Sequence, residues 1–314
     1  MFQKFRSLPL LFFYSLLLFS ITKCKPRGTG TWIFKLEART ENLSDADEKL
    51  IETIYGKRFQ SYGIDEKDIS IKHDGKIITV EISEASNYEK DHIGRIRKLL
   101  CSSARLSFWE TYSAAEIGPK LNECFTADSL REHKLGEFIS QSSNDGASPC
   151  IFYVKAKDTA AVNLILGDWK GKLPGDLRFF WTAQPNSSPQ NAFGLITLKT
   201  NSFGKPGIEK PVTTDVHVEY DKMSGSGSPQ INFIMDPPTA SMFSALTKAN
   251  IGKSIAIVID GYVYSFPVVQ DAITGGQCMI SGNFTKEEAD ELTYLLKIEP
   301  MPCPITIIEE KIIP

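Results

Sequence analysis

The chain lacks an excess of either charge: 35 Lys and Arg against 38 Asp and Glu leave a formal −3 over 314 residues. Without a basic stripe there is no electrostatic footprint for a polyanion, so nucleic acid is not an expected partner. Histidine is scarce. His73, His92, His133 and His217 fall in different elements without metal-ligand spacing, and no metal centre is expected. Cysteine is sparse and scattered, at Cys24, Cys101, Cys124, Cys150, Cys278 and Cys303, with no Cys-x-x-Cys pair and hence no zinc signature. Cys124 and Cys150 flank a polar segment and are open to two readings, a disulfide in an oxidising compartment or two small buried thiols. No internal repeat and no cofactor motif is visible. The apolar run from Leu8 to Thr22 would cover roughly 22 Å as a helix, short of the ~30 Å hydrocarbon core of a bilayer.

What is present begins at the N-terminus. Lys4 and Arg6 precede that apolar run, and Lys23, Cys24, Lys25 and Arg27 follow it, the layout of an export signal. Cys24 stands where a bacterial lipoprotein carries its lipid, although Lys23 fills a position where a small residue is expected. Residues 1–23 are therefore read as a signal peptide or short anchor. Lipid attachment at Cys24, simple secretion and an uncleaved anchor stay open.

With 42% hydrophobic residues the remainder can bury a substantial core. From Thr31 the stretch TWIFKLEA alternates as a half-buried strand, and SDADEKLIETIYGKRFQSYG turns helical, with Ile51, Ile54, Tyr55, Arg58, Phe59 and Tyr62 near one face. DISIKH and KIITVEI flank Asp74-Gly75, a two-residue hairpin signal. A helix through Ile93, Ile96, Leu99 and Leu100 follows, then the strand RLSFWE. The order β-α-β-β-α-β over 30–112 predicts an α+β, ferredoxin-like sandwich. Residues 113–212 shift toward Gly, Pro, Ser and Asn and are read as an elaboration. Residues 213–297 predict paired strands, a helix from Pro237 stopped at Gly252, an Asp260-Gly261 hairpin, and a helix capped by Thr285 with Glu288 completing a capping box. Its buried stripe is Ala289, Leu292, Leu295 and Leu296. Residues 298–314 predict a last strand returning to the sandwich.

The run IGKSIAIVIDGYVYSFPVVQDAITGGQCMISGNFTKEEADELTYLL, followed by PMPCPITIIEE, resembles the first periplasmic domain of SecD and of fused SecDF protein-export factors. The landmarks come in order: Gly252, the Asp260-Gly261 turn, Pro267, the Gly275-Gly276 pair, Gly282-Asn283-Phe284-Thr285, and a Pro-x-Pro before the last strand. FWETYSAAEI and DTAAVNLILGDWKGKLPGDLRFFWTAQP extend the likeness to an enlarged form of that domain. The resemblance implies a base subdomain (30–112, completed by 298–314) and a head subdomain (213–297). It departs at Glu299, where the family carries Gly. Family members also continue into transmembrane helices bearing proton-coupling carboxylates, whereas this sequence ends at Pro314, so a proton-driven motor is not carried over. What the resemblance implies is binding of unfolded exported polypeptide outside the membrane. The translocon or a separately encoded membrane subunit would be a further partner, and attachment would be by lipid or an N-terminal anchor.

Other residue clusters offer a chemical reading beside a structural one. Glu287, Glu288 and Asp290 could be paired carboxylates for acid-base work, but a capped first turn with acids at the helix N-terminus explains them fully. The SGSGS run at Ser224 lacks the strand-turn-helix setting of a nucleophile elbow. Gly275 and Gly276 fit a turn with positive φ. No enzyme and no cofactor is expected. Tyr262, Tyr264 and Phe266 alternate on the predicted hairpin and form the candidate polypeptide-binding stripe, with core packing as the alternative. The rival function is a structural or adhesive envelope lipoprotein that reuses the fold.

Overall fold

The computed structural model of the chain describes residues 30–83, 90–128, 135–142, 145–186, 191–220 and 228–313. The export-signal stretch with Cys24, together with His133 and Ser224, lies outside the described residues.

In strand β1 (Thr31–Ala38), Trp32, Phe34, Leu36 and Ala38 are buried and the residues between them are half-exposed. Helix α1 (Asp45–Ser61) starts at a capping box in which the Ser44 hydroxyl accepts from the Asp47 N–H, and it buries Ile51, Ile54, Tyr55, Arg58 and Phe59. Arg58 is tolerated inside because Nη1 donates to the carbonyls of Leu99 (2.7 Å) and Ser102 (2.6 Å). Burial still lowers its pKa to about 10. Strands β2 (Ile69–Asp74) and β3 (Ile77–Ile82) form the expected hairpin, with Gly75 at φ +58°. Helix α2 (Lys90–Cys101) adds Ile96 and Leu100 to the same core.

The next strand, β4 (Leu106–Thr111), was expected to close this sandwich and does not. Its burial explains why: Phe108 faces one core and Trp109 another, so it needs apolar cover on both sides, which the edge of a two-layer sandwich does not give. It lies instead inside a second sheet. Helix α3 (Ala114–Asp128) and strands β5 (Ile139–Ser142) and β6 (Cys150–Lys155) come next. Then follow helix α4 (Thr159–Asp168) and strands β7 (Leu177–Trp181), β8 (Ala192–Lys199) and β9 (Ile208–Glu209).

Strands β10 (Thr213–Tyr220) and β11 (Pro229–Met235) pair, and helix α5 (Pro237–Ala249) is capped by the Asp236 carboxylate on the Thr239 N–H. Strands β12 (Ile255–Ile259) and β13 (Tyr262–Ser265) form the Asp260-Gly261 hairpin, followed by β14 (Gln277–Ser281) and α6 (Lys286–Lys297). The last strand, β15 (Ile305–Ile313), returns to β1 and gives the order β15-β1-β3-β2, all antiparallel. The ferredoxin-like base is present, and its final strand comes from the C-terminal segment.

Two further sheets make up the rest. One is β10-β11-β14. The other runs β13-β12-β4-β8-β6-β5, with β7 beside β8 and β9 beside β4. The stretches read as elaboration and as head thus share a sheet, because β12 pairs with β4 and β4 with β8. The chain crosses between base and upper body at 102–105 and at 298–304, where Met301 N–H donates to the Ser103 carbonyl at 2.9 Å.

Candidate functional site

The family landmarks are mostly architectural. Asp260 and Gly261 both have positive φ, +51° and +83°, as a tight two-residue hairpin demands. The Asp260 carboxylate also accepts from Ser102 Oγ (2.7 Å), Ala104 N (3.1 Å) and Arg105 N (3.0 Å), tying the hairpin tip to the first crossing. Gly252, at φ +80°, donates its N–H to the Val269 carbonyl. Pro267 lies just beyond β13 rather than within it, and its carbonyl accepts from Ile255 N–H at 3.1 Å. Of the glycine pair only Gly276 has positive φ, so the turn does not account for Gly275 in that way. A Cβ at Gly282 would come within 2.9 Å of the Phe284 ring. Thr285 caps α6, accepting from Glu288 N–H, while Glu288 accepts in return from Thr285 N–H at 2.9 Å. Glu287 and Glu288 thus stand in the acidic first turn of α6, and Asp290 pairs with Lys286 at 2.9 Å.

The aromatic stripe divides. Tyr262 projects outward and is 54% exposed. Tyr264 is half-buried and stacks on Phe284, centroids 6.3 Å apart. Phe266, past the end of the strand, packs with Val263 against the small core formed by Trp109, Cys150, Ile196, Leu198, Ala256 and Val258. Tyr264 and Phe266 nevertheless meet in one groove of about 230 Å³. Its remaining wall comes from Tyr153 on β6, from Thr182, Gln184, Pro185 and Asn186 after β7, and from Val263 and Asn283. Burial raises the pKa of both Tyr153 and Tyr264 to about 12, and the Tyr153 phenol is engaged with the Cys150 and Asn186 side chains. The Gln184 side-chain amide reaches the Glu288 carboxylate at 3.2 Å, which links the groove wall to the α6 cap.

The groove has a neighbour on the same sheet face. Val263 pairs with Val258, and Val258 lines a second cavity of about 390 Å³ beside Trp109 and Phe180, whose rings meet edge to face at 5.2 Å. Trp109 is buried and Tyr264 packs with the core on the other face of the sheet, so the two cavities stay separate. Sequence reasoning missed Tyr153, Trp109, Phe180, Gln184 and Asn186. Phe180, Gln184 and Asn186 belong to a Phe-Phe-Trp strand and the loop after it, while Trp109 and Tyr153 sit on two other strands, and none of them has a fixed spacing to the hairpin.

A third cavity of about 310 Å³ lies on the opposite face of β12, between Phe108, Phe243, Ile255, Ile257 and the strap from Pro267 to Ile273. Thr247 Oγ1 holds the strap by accepting from Ile273 N–H at 2.9 Å. So apolar a lining would leave peptide backbone groups without partners, and it suits a single apolar side chain better than a length of chain.

The described cysteines are all free thiols, with Cys124 and Cys150 buried, so no disulfide joins those two. Among the described residues no group of three or more His, Cys, Asp or Glu could hold a metal ion, and no helix is long and apolar enough to cross a membrane.

Comparison with known proteins places these features. Residues 205–303 match the family described as SecDF, P1 head subdomain. The protein translocase subunit SecD of Rhodothermus marinus is 29% identical over 310 residues, covering 86% of this chain and 47% of that protein. The protein translocase subunit SecDF of Thermus thermophilus is 37% identical over 112 residues, 36% of this chain and 15% of that protein. The chain thus spans about half the length of the first relative and less of the second. A solved structure of SecDF, described as a membrane component that enhances protein export, matches with a TM-score of 0.52 at 23% identity, over 88% of this chain and 98% of that one. SecDF in its super-membrane-facing form gives 0.55 at 23%, over 90% of this chain and 30% of that one. At that identity the two structures speak for the shared α+β fold.

Proposed function

We propose that this chain, a SecD/SecDF-type P1 domain with a SecDF P1 head subdomain over residues 205–303, takes part in protein export by holding unfolded polypeptide outside the membrane. The observation that carries this reading is the groove itself, in which Tyr153, Tyr264 and Phe266 stand beside the amides of Asn186 and Asn283. Rings accept any apolar side chain, and amides can bond any main chain, so such a surface binds with little regard to sequence. That is the property a carrier of many exported chains needs. Holding is a binding act, and none of the groove residues is arranged as a nucleophile with a base. The export layout of the N-terminal sequence supports an extracytoplasmic location, with membrane attachment through Cys24 or the apolar segment as part of the same proposal. A translocon or a membrane subunit is the partner class that fits.

The test is crosslinking in the cell from a photoreactive residue placed at exposed Asn283, which lines the groove. Products with exported chains or translocon subunits are expected. Products only with surface proteins or lipid would contradict the export reading and favour a structural lipoprotein. The likeness to SecD and SecDF proteins is what sets export ahead of that rival.

A further inference from the structure

We infer that β15 is a self-association surface, along which a second copy of this chain adds antiparallel so that the two base sheets continue into one. β15 is the end strand of the sheet β15-β1-β3-β2, and among the described residues no strand pairs with its outer side. An end strand presents a row of main-chain N–H and C=O groups ready to pair with another chain. This one is long, nine residues from Ile305 to Ile313, and Ile308, Ile312 and Ile313 on it are exposed. Its pairing with β1 skips Ile308 and is regular from Glu309 to Ile313, against Lys35 to Thr31. The open and regular part of the edge therefore carries Glu309, Glu310, Lys311, Ile312 and Ile313.

The charges on that stretch select the occupant. Residues directly opposite each other in a sheet share a face, so a symmetric antiparallel pair sets one residue opposite its own copy. With Lys311 at that centre, two ammonium groups face each other and Glu309 meets an isoleucine. With Glu309 there, two carboxylates meet and Lys311 has no acid opposite. With Glu310 at the centre, Glu309 lies opposite Lys311 of the second copy, twice over by symmetry, and Ile308 lies opposite Ile312 of that copy. The repulsion between the two Glu310 carboxylates is offset within each copy, because Arg97 on α2 grips its own Glu310 through Nε at 2.8 Å and Nη2 at 3.0 Å. Charged residues on an edge ordinarily keep other strands away. Here they complement a second copy of themselves.

The test is sedimentation velocity on the full-length chain and on its Glu309→Lys and Lys311→Glu variants, each alone and the two mixed one to one. A contact of a few strand residues belongs to the weak class of interfaces, so the unaltered chain is expected to dimerise at a concentration on the order of tens of micromolar. Each variant alone sets like charges opposite one another at both ends of the ladder. It should dimerise at least about tenfold more weakly, equivalent to about 1.4 kcal/mol. Mixed, the two variants again place an acid opposite a base at both positions, and the mixed dimer should form as readily as the unaltered one. The Glu309 and Lys311 side chains are nearly half exposed, so circular dichroism and the melting temperature should not change, which separates lost pairing from lost fold. An unaltered chain that stays monomeric well above that concentration overturns the inference, the edge then serving some other partner. A dimer that neither variant weakens, or a mixture that stays monomeric, overturns it as well, because the contact then lies elsewhere on the chain.

Discussion

Gly276 and Gly275 sit side by side in sequence and have opposite tolerances. Gly276 has φ +64°, and a Cβ there would stand 2.6 Å from the Ala240 Cβ, whereas a Cβ at Gly275 would meet nothing within 4 Å. Gly276→Ala is therefore expected to cost about 2 kcal/mol, from the left-handed backbone and the clash together. Gly275→Ala should leave stability within about 0.5 kcal/mol. Urea titration of the two variants checks the contrast. Thr285→Ala removes the cap of α6 and should cost about 1 kcal/mol by the same measurement. Because Glu288 also receives the Gln184 amide, that variant should loosen the groove wall as well.

His217 offers a titration. Its ring lies 2.6 Å from the Asp215 carboxylate and 3.4 Å from that of Glu219, and the hydrogen bond to Asp215, foremost, raises its pKa above the usual 6.5. A raised folded-state value means that the protonated ring is favoured by folding. The stabilisation is fully present below 6.5 and is lost as pH rises through the folded-state midpoint. With the side chain 39% exposed, solvent screening keeps the effect small. A proton NMR titration should place the midpoint above 6.5, and Asp215→Asn should bring it down. A midpoint at or below 6.5 in the unaltered chain would contradict the geometry.

Among the elements, those with a clean period were legible. The alternation in β1 and the apolar face of α1 were readable residue by residue, Arg58 included, because burial there follows local spacing. The destination of β4 was not. A run with apolar residues on both faces says only that the strand is covered twice, and which sheet covers it depends on partners far along the chain. β15 shows the complement: it has one buried end and an exposed remainder, the signature of an edge, and it takes the place beside β1. Removing residues 304–314 should strip β1 of a full-length partner and uncover Trp32 and Leu36. Differential scanning calorimetry should show a lower melting temperature for the truncated chain. An unchanged melting temperature would mean that the base does not depend on its C-terminal strand.

At the scale of the whole molecule, the groove draws on β6, the segment after β7, the end of β13 and the turn before α6, stretches separated by many tens of residues. No local pattern announces such a site. The sequence singled out Tyr262, Tyr264 and Phe266 because they alternate, yet the strand ends at Ser265, so Phe266 leaves the alternation and Tyr262 stands apart. The head motifs from Gly252 to Glu288 were legible as a family signature because turns and caps demand particular residues at fixed offsets. The upper body also shows why binding should be modest: the groove is shallow and open, and ordering a flexible chain offsets much of the contact energy. The most direct measurement is a titration of the full-length chain with a reduced, unfolded exported protein, followed by calorimetry or fluorescence. A dissociation constant in the micromolar range, about −8 kcal/mol, with no binding of the same protein when folded, is the predicted result. Absence of binding at high micromolar concentration, with the chain shown to be folded by circular dichroism, would contradict the account.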